Sequence, residues 1–186
     1  DGTELGVSQI FSSIGPGNGG VTVTAQAFEE LNITPARVLI QDTTGIGVTT
    51  DNDGSEAGSA DQVDGQGSSS EGILFSFSAT VTLEEILFGS VGGNDGARVF
   101  VDLAGGGTGF TELTPGASLL IGTDDDAFQL TNALIDRIAI AATDANDDFF
   151  VAGFDIAAVP VPAAGVLFAS ALGLAGLWRR RAAKTA

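Results

Sequence analysis

Short apolar runs separated by turn-forming clusters set the strongest limit on what this chain can fold into. Segments rich in Val, Ile, Phe and Thr recur at Val21–Phe28, Arg37–Gln41, Ile73–Ser78, Thr80–Phe88, Ala97–Leu103, Ser118–Ile121, Ala127–Leu130, Leu134–Ala142 and Phe149–Ile156, with Gly, Asp and Ser between them. Runs of that length and composition are strands. In Val21-Thr22-Val23-Thr24-Ala25 the threonines fall on one side, and in Leu74-Phe75-Ser76-Phe77-Ser78 the serines oppose the phenylalanines, as a strand with one wet face requires. Helical periodicity before residue 159 is sparse and is best in Ala25–Leu31. These runs predict an all-β body, an antiparallel two-sheet sandwich of jelly-roll type. The chain has no cysteine, so the body must be held by its core alone. Phe28, Phe75, Phe77, Phe88, Phe100, Phe128, Phe149 and Phe154 are its expected large members, each contributing about 1.5–3 kcal/mol if enclosed.

One stretch breaks the strand rhythm. From Thr49 to Glu71 the chain is nearly all Asp, Asn, Gly, Ser, Ala, Gln and Glu, too poor in apolar groups to pack, and it reads as a long exposed loop inside one domain. The short apolar runs flanking it, Gly45–Val48 and Ile73–Phe77, are too brief to begin or end a separate fold.

The last 28 residues differ in kind from everything before them. Val159-Pro160-Val161-Pro162-Ala163 is followed by an uncharged stretch to Trp178 and then by Arg179-Arg180-Arg181 and Lys184. As a helix, Ala163–Trp178 would extend roughly 24 Å, somewhat short of a hydrocarbon core of about 30 Å. Trp178 sits where an interfacial aromatic belongs, and the arginines resist crossing, so the C-terminus is expected to remain cytoplasmic with residues 1–158 outside. Gly165, Gly173 and Gly176 suit a membrane helix better than a soluble one. Gly165, Ala169 and Gly173 recur every four residues as a small-residue face on which helices could pack. Two units follow: an outer β domain over 1–158 and a tail over 159–186. The chain opens on Asp1 and not Met, from which we expect an export signal removed or lying outside the sequence.

This tail, with Val159, Pro160, Val161, Pro162 and Ala163 before the apolar segment and Arg179, Arg180 and Arg181 after it, resembles the PEP-CTERM sorting signal in its Val-Pro-x-Pro-Ala variant. Val161 stands where the usual signal has glutamate. The resemblance implies a protein exported by a Gram-negative bacterium, handled by an exosortase-type processing enzyme and delivered to the cell surface or extracellular matrix, anchored in the membrane at least transiently. Gly45-Ile46-Gly47-Val48, Asp61-Gln62-Val63-Asp64-Gly65 and Glu71-Gly72-Ile73-Leu74-Phe75-Ser76-Phe77 are loosely similar to the extracellular domains that precede such tails.

Charge separates the two units as sharply. All 24 acidic residues precede Val159, where Arg37, Arg98 and Arg137 are the basic ones. Three against 24 gives the body −21; the tail's four basic residues bring the chain to −17. Such a body repels phosphate backbones and anionic headgroups, so no nucleic-acid partner is expected, and divalent cations or plain solubility are favoured instead. Asp51-Asn52-Asp53-Gly54-Ser55 places oxygen donors at alternate positions, as the start of a helix-loop-helix calcium loop does, but Glu56 and Gln62 occupy the positions of that loop's glycine and closing glutamate. Asp51, Asp53 and Ser55 with Asp61 and Asp64 therefore form a candidate calcium site of another kind. Asp144, Asn146 and Asp148 repeat the alternate-acid pattern, and Asp124-Asp125-Asp126 is a third cluster. Acidic turns without any ligand are the competing reading of each.

Catalytic constellations are scarce. Without His or Cys no serine or cysteine triad can form, and any zinc would rely on carboxylates. Glu84, Glu85 and Glu112 are the carboxylates a glycosidase reading would use. Adjacent residues of a strand point to opposite faces, so Glu84 and Glu85 cannot flank one bond unless a bulge intervenes. Gly105-Gly106-Gly107 reads as a hairpin tip, and Asn32-Ile33-Thr34 fits a glycosylation sequon. The expected function is non-enzymatic: a structural or adhesive surface protein. The alternatives are a filament subunit whose tail helices pack in the fibre core, and a calcium-dependent carbohydrate-binding module with a polysaccharide ligand. The last is weakened by the absence of tyrosine and by a single tryptophan that lies in the tail.

Overall fold

The structure, a computed structural model, describes residues 3–12, 20–29, 38–49, 62–65, 71–93, 95–104, 109–113, 119–120, 127–143 and 147–159. It is all-β, as the sequence predicts, and no helix occurs among the described residues. The strands are β1 (Thr3–Gly6), β2 (Ser8–Ser12), β3 (Thr22–Glu29), β4 (Val38–Gln41), β5 (Ile46–Thr49), β6 (Val63–Asp64), β7 (Glu71–Gly89), β8 (Gly96–Leu103), β9 (Thr111–Glu112), β10 (Leu119–Leu120), β11 (Ala127–Ala142) and β12 (Asp148–Ala158). Every pairing between them is antiparallel. The predicted C-terminal helix lies outside the described residues.

The 19-residue β7 organises the rest. One of its edges pairs with β11, from Leu87↔Ala127 to Gly72↔Ala141. Its other edge is divided: β3 lies along Glu71–Phe77 and β12 along Val81–Gly89. Outward from β3 comes β2; outward from β12 come β5, β4 and β1; outward from β11 come β8 and its short partners β9 and β10. Gly6, at φ 83°, adopts a conformation that only glycine takes readily, and there the chain passes from β1 beside β4 to β2 beside β3.

Where β7 changes neighbour, its register with β11 is interrupted by a bulge, which bends the strand into a corner. Ile135 pairs with Val81 but Arg137 with Ser76, so residues 77–80 of β7 stand against Asp136 alone. Ser78 and Ala79 are exposed there. Ser78 Oγ accepts from the Thr22 amide at 2.9 Å in place of a ladder carbonyl, and the Thr80 hydroxyl donates to Asp136 Oδ1 at 2.6 Å, tying the side chains together across the bulge. This corner is why the sequence reads as two strands, Ile73–Ser78 and Thr80–Phe88, where the structure has one.

Core residues follow the alternation. Ile73, Phe75, Phe77, Val81 and Leu83 face inward, and then the phase moves by one residue to Ile86 and Phe88. The phase moves because Asp155 pairs with Glu85 but Ile156 with Leu83, leaving Glu84 as an inserted residue. From β11 come Ile135, Ile138 and Ile140, from β8 Ala97, Val99 and Val101, and from β12 Phe149 and Val151. The Phe75 and Phe154 rings meet edge to face at 4.7 Å, and Phe88 and Phe149 at 5.4 Å. Phe75 belongs to the half of β7 beside β3, whereas Phe154 belongs to the strand beside the other half.

Two expectations about packing change. Phe100 is half-buried under Arg98 and is not a core residue, because Val99 and Val101 take the inward phase of β8. Phe28 is also half-buried; its ring packs on Gly72, where any Cβ would collide with it and would stand 2.8 Å from the Ile140 carbonyl. The predicted loop over 49–71 is anchored in its middle as well. Val63 is fully buried, the Gln62 amide donates to the Ser90 carbonyl at 3.2 Å, and the Gln62 carbonyl accepts from the Val48 amide at 3.4 Å.

Ile138 is fully buried on β11 between β7 and β8. Ile138→Ala should therefore lower the unfolding free energy by about 2–5 kcal/mol in urea titrations, with an unchanged slope. A cost below about 1 kcal/mol would mean that the strands do not close on one another at this point.

Candidate functional site

The candidate calcium residues fall in two groups. Asp51, Asp53, Ser55, Asp61, Asp144 and Asn146 lie outside the described residues, as do Asp124–Asp126. Asp64 and Asp148, which belong to different candidate clusters, are brought into register directly opposite one another on β6 and β12. Among the described residues, no group of three or more acidic side chains could hold a metal ion. In the tail, Val159 is described and is 37% exposed; Pro160 to Ala163, the helix face of Gly165, Ala169 and Gly173, and the arginines Arg179, Arg180 and Arg181 lie outside the described residues.

The acids that matter most to the architecture are ones the spacing pattern passes over. Asp147 is 3% exposed, and its two carboxylate oxygens accept from the Gly96 and Thr143 amides, both at 2.7 Å. Its backbone carbonyl accepts from the Gly65 amide at 3.3 Å. One residue therefore ties the start of β8, the end of β11 and the segment after β6 together through charge-assisted bonds. Asp95, 1% exposed, accepts from the Gly92 amide. Asp42 accepts from the amides of Thr44 at 2.5 Å and Gly45 at 3.1 Å, closing the turn between β4 and β5. Glu71, the first residue of β7, is 2% exposed. A buried Asp leaves no signature in composition; the hint in the sequence is its place just before a strand that starts Asp-Phe-Phe.

Both described arginines sit on the outer face of β8, β9 and β11. Arg98 Nε bonds Glu112 Oε1 at 2.8 Å, with its guanidinium 4.8 Å from the Phe100 ring centre. Arg137 holds Asp102 Oδ2 through Nη2 at 2.6 Å and Nε at 3.0 Å, and lies 4.9 Å from the Phe110 ring centre. Each cation is thus shared between a carboxylate and a ring face. The outer face at the β7–β12 pairing carries three acids beside the exposed Leu87: the inserted residue puts Glu84 and Glu85 on the same side, with Asp155 directly opposite Glu85. The bulge that a paired-carboxylate reading requires is therefore present at Glu84–Glu85. Glu112 is engaged elsewhere, with Arg98.

Among the described residues is an apolar cleft of about 220 Å³. Phe11 of β2, Val23 of β3, Ile46 of β5, Phe75 and Phe77 of β7 and Phe154 and Ile156 of β12 form its walls, and the exposed Ser12, Gln41 and Ala152 lie at its rim. Among the described residues, no charged side chain lines it. Its described lining suits an uncharged apolar group. Its walls come from five strands far apart in the chain, which no local motif could reveal.

Comparison of the chain with protein-family models, with curated proteins and with solved structures gives no match. The function must therefore be argued from the residues themselves.

Hydrogen bonding from Arg98 holds the Glu112 carboxyl below its ordinary value of 4.5; partial burial opposes this, and the charge of Arg98 reinforces it. A carboxyl depressed in the folded state contributes stability that is fully present above about pH 4.5 and is lost as pH falls through the lower folded value. Glu112→Gln should accordingly melt below the parent at neutral pH, the gap closing as the pH drops below 4.5. A gap unchanged in acid would assign the loss to packing and not to the ion pair.

Proposed function

We propose that this chain is a non-enzymatic structural or adhesive protein of the cell surface or extracellular matrix, directed there by its C-terminal tail. The observation that carries the reading is the place where β12 ends. β12, which lines the core with Phe149 and Val151, ends at Ala158, and Val159 is exposed immediately before Pro160. The end of this core strand and the first residue of the Pro-x-Pro segment thus adjoin, as expected if 159–186 is an address appended to a finished domain and not a piece of it. The strongly acidic surface and the structural use of Asp42, Asp95 and Asp147 suit an exported scaffold. The finer architecture belongs to the same proposal: a two-sheet sandwich of jelly-roll type, in which β7 and β11 run through both sheets. Its support is the Phe75–Phe154 contact, made between strands that flank different halves of β7. The tail helix enters the membrane until an exosortase-type enzyme acts.

A second reading, calcium binding, is favoured by the Asp64↔Asp148 register, which joins two acidic segments far apart in the chain. A cation that binds only the folded body would raise its melting temperature by several degrees at large excess over its Kd. The same rise with sodium or magnesium at equal ionic strength would reduce the effect to screening.

The surface role is tested on protein shed from the native cell surface. Mass spectrometry of its C-terminus should place the end between Val159 and Ala164. Shed protein that retains Trp178 and Arg179–Arg181 would contradict processing.

A further inference from the structure

We infer that β2 is an assembly edge, along which two copies of this chain pair antiparallel about Ile10 to continue one sheet across a two-fold axis. The phase of the ladder shows which backbone groups are on offer. The Ala27 amide donates to the Val7 carbonyl at 3.3 Å, and the register then runs without a break from Ser8↔Gln26 to Ser12↔Thr22. In an antiparallel pair, bonded and non-bonded positions alternate, so Gln9 and Phe11 direct their N–H and C=O groups to β3, while Ser8, Ile10 and Ser12 direct theirs away from it. No described strand pairs with β2 on that side. The Ile10 carbonyl is instead met by the Gln9 side-chain amide at 3.3 Å, a local bond that an incoming strand can displace.

The usual defences of such an edge are missing. Natural edges carry charges, proline or bulges that discourage pairing. Val7–Ser12 has no charged residue and no proline, and its register has no bulge. Ile10 is 64% exposed, the highest value among the exposed large apolar residues described.

The strand's own pattern points to a second copy as the occupant. Antiparallel pairing about Ile10 sets Ser8 against Ser12, Ile10 against Ile10 and Ser12 against Ser8, so every outward backbone group meets its complement, and the outer side chains match as Ser, Ile, Ser from either direction. Such a contact is isologous and closes as a dimer. Charge favours the same site: a chain of net charge −17 repels its copies across most approaches, and an uncharged strip is where two of them can come together. Phe11 and Ser12 also line the apolar cleft, so the partner's alternating inner residues Gln9 and Phe11 arrive at its rim. This interface goes beyond the proposed surface role and does not depend on the tail.

The test uses the full chain in non-ionic detergent micelles, analysed by sedimentation equilibrium together with amide hydrogen exchange. The wild type should dimerise with rising concentration. Under dimerising conditions the Ser8, Ile10 and Ser12 amides should gain protection, while Gln9 and Phe11 are protected at every concentration. Ile10→Pro removes only an outward N–H and leaves the β3 ladder intact, so it should abolish the dimer with an unchanged circular dichroism spectrum. Should proline disturb the fold, Ile10→Lys supplies an edge charge at an exposed position and should abolish the dimer equally. A wild type that stays monomeric, a dimer that survives both substitutions (association through the tail), or protection absent from the alternate amides would each overturn the inference.

Discussion

Everything in this fold depends on one strand having two different neighbours along a single edge. β7 pairs with β11 almost throughout, yet beside β3 it belongs to one group of strands and beside β12 to another. That division fixes where β2, β5, β4 and β1 can lie, and it brings Phe75 against Phe154 and Phe88 against Phe149. It also imposes a cost, because a strand cannot turn without forfeiting ladder bonds. At the corner Ser78 Oγ accepts the Thr22 amide in place of a ladder carbonyl, while Thr80 bonds the Asp136 side chain across the bulge. Serine and threonine suit such a place, since their side chains substitute for backbone groups that no longer face a partner.

The second constraint is charge. A body with so many carboxylates and so few cations cannot neutralise itself by pairing, and its acids are distributed by task. Asp42, Asp95 and Asp147 are drawn into the chain to accept amides at turns, where a carboxylate stabilises groups that would otherwise be buried unsatisfied. Asp102 and Glu112 hold the described arginines on one outer face. Glu84, Glu85 and Asp155 remain on another outer face as a negative surface. Self-repulsion of this kind favours solubility and leaves the uncharged edge of β2 as the natural place for two copies to meet.

The all-β character was legible because it rests on alternation, which is a property of neighbouring residues. Ile73, Phe75, Phe77, Val81 and Leu83 announce their own inward face. What could not be read depended on distant partners. The run Ala25–Leu31 carries the best helical period before the tail, yet Ala25–Glu29 is strand, because β2 and β7 bond it on both sides. Val63 is a lone apolar residue in a polar stretch, and its burial follows from β12 and not from its surroundings in sequence. β1 and β2 carry too few apolar residues to stand out and are interrupted at Gly6. Among the candidate site residues, spacing led to Asp144, Asn146 and Asp148, while the residue that clamps the segment is Asp147, hidden between them. The apolar cleft was invisible for the same reason as the corner: its walls are assembled by topology.

The proposed division into body and address requires a core that is complete without residues 160–186. The most direct measurement compares the urea unfolding free energy and slope of a chain ending at Val159 with those of the full chain under the same conditions. Equal values, with a single cooperative transition in both, are the predicted result. A shortened chain that loses its sharp transition or several kcal/mol of stability would show that the tail is part of the core, and the division into body and address would fall.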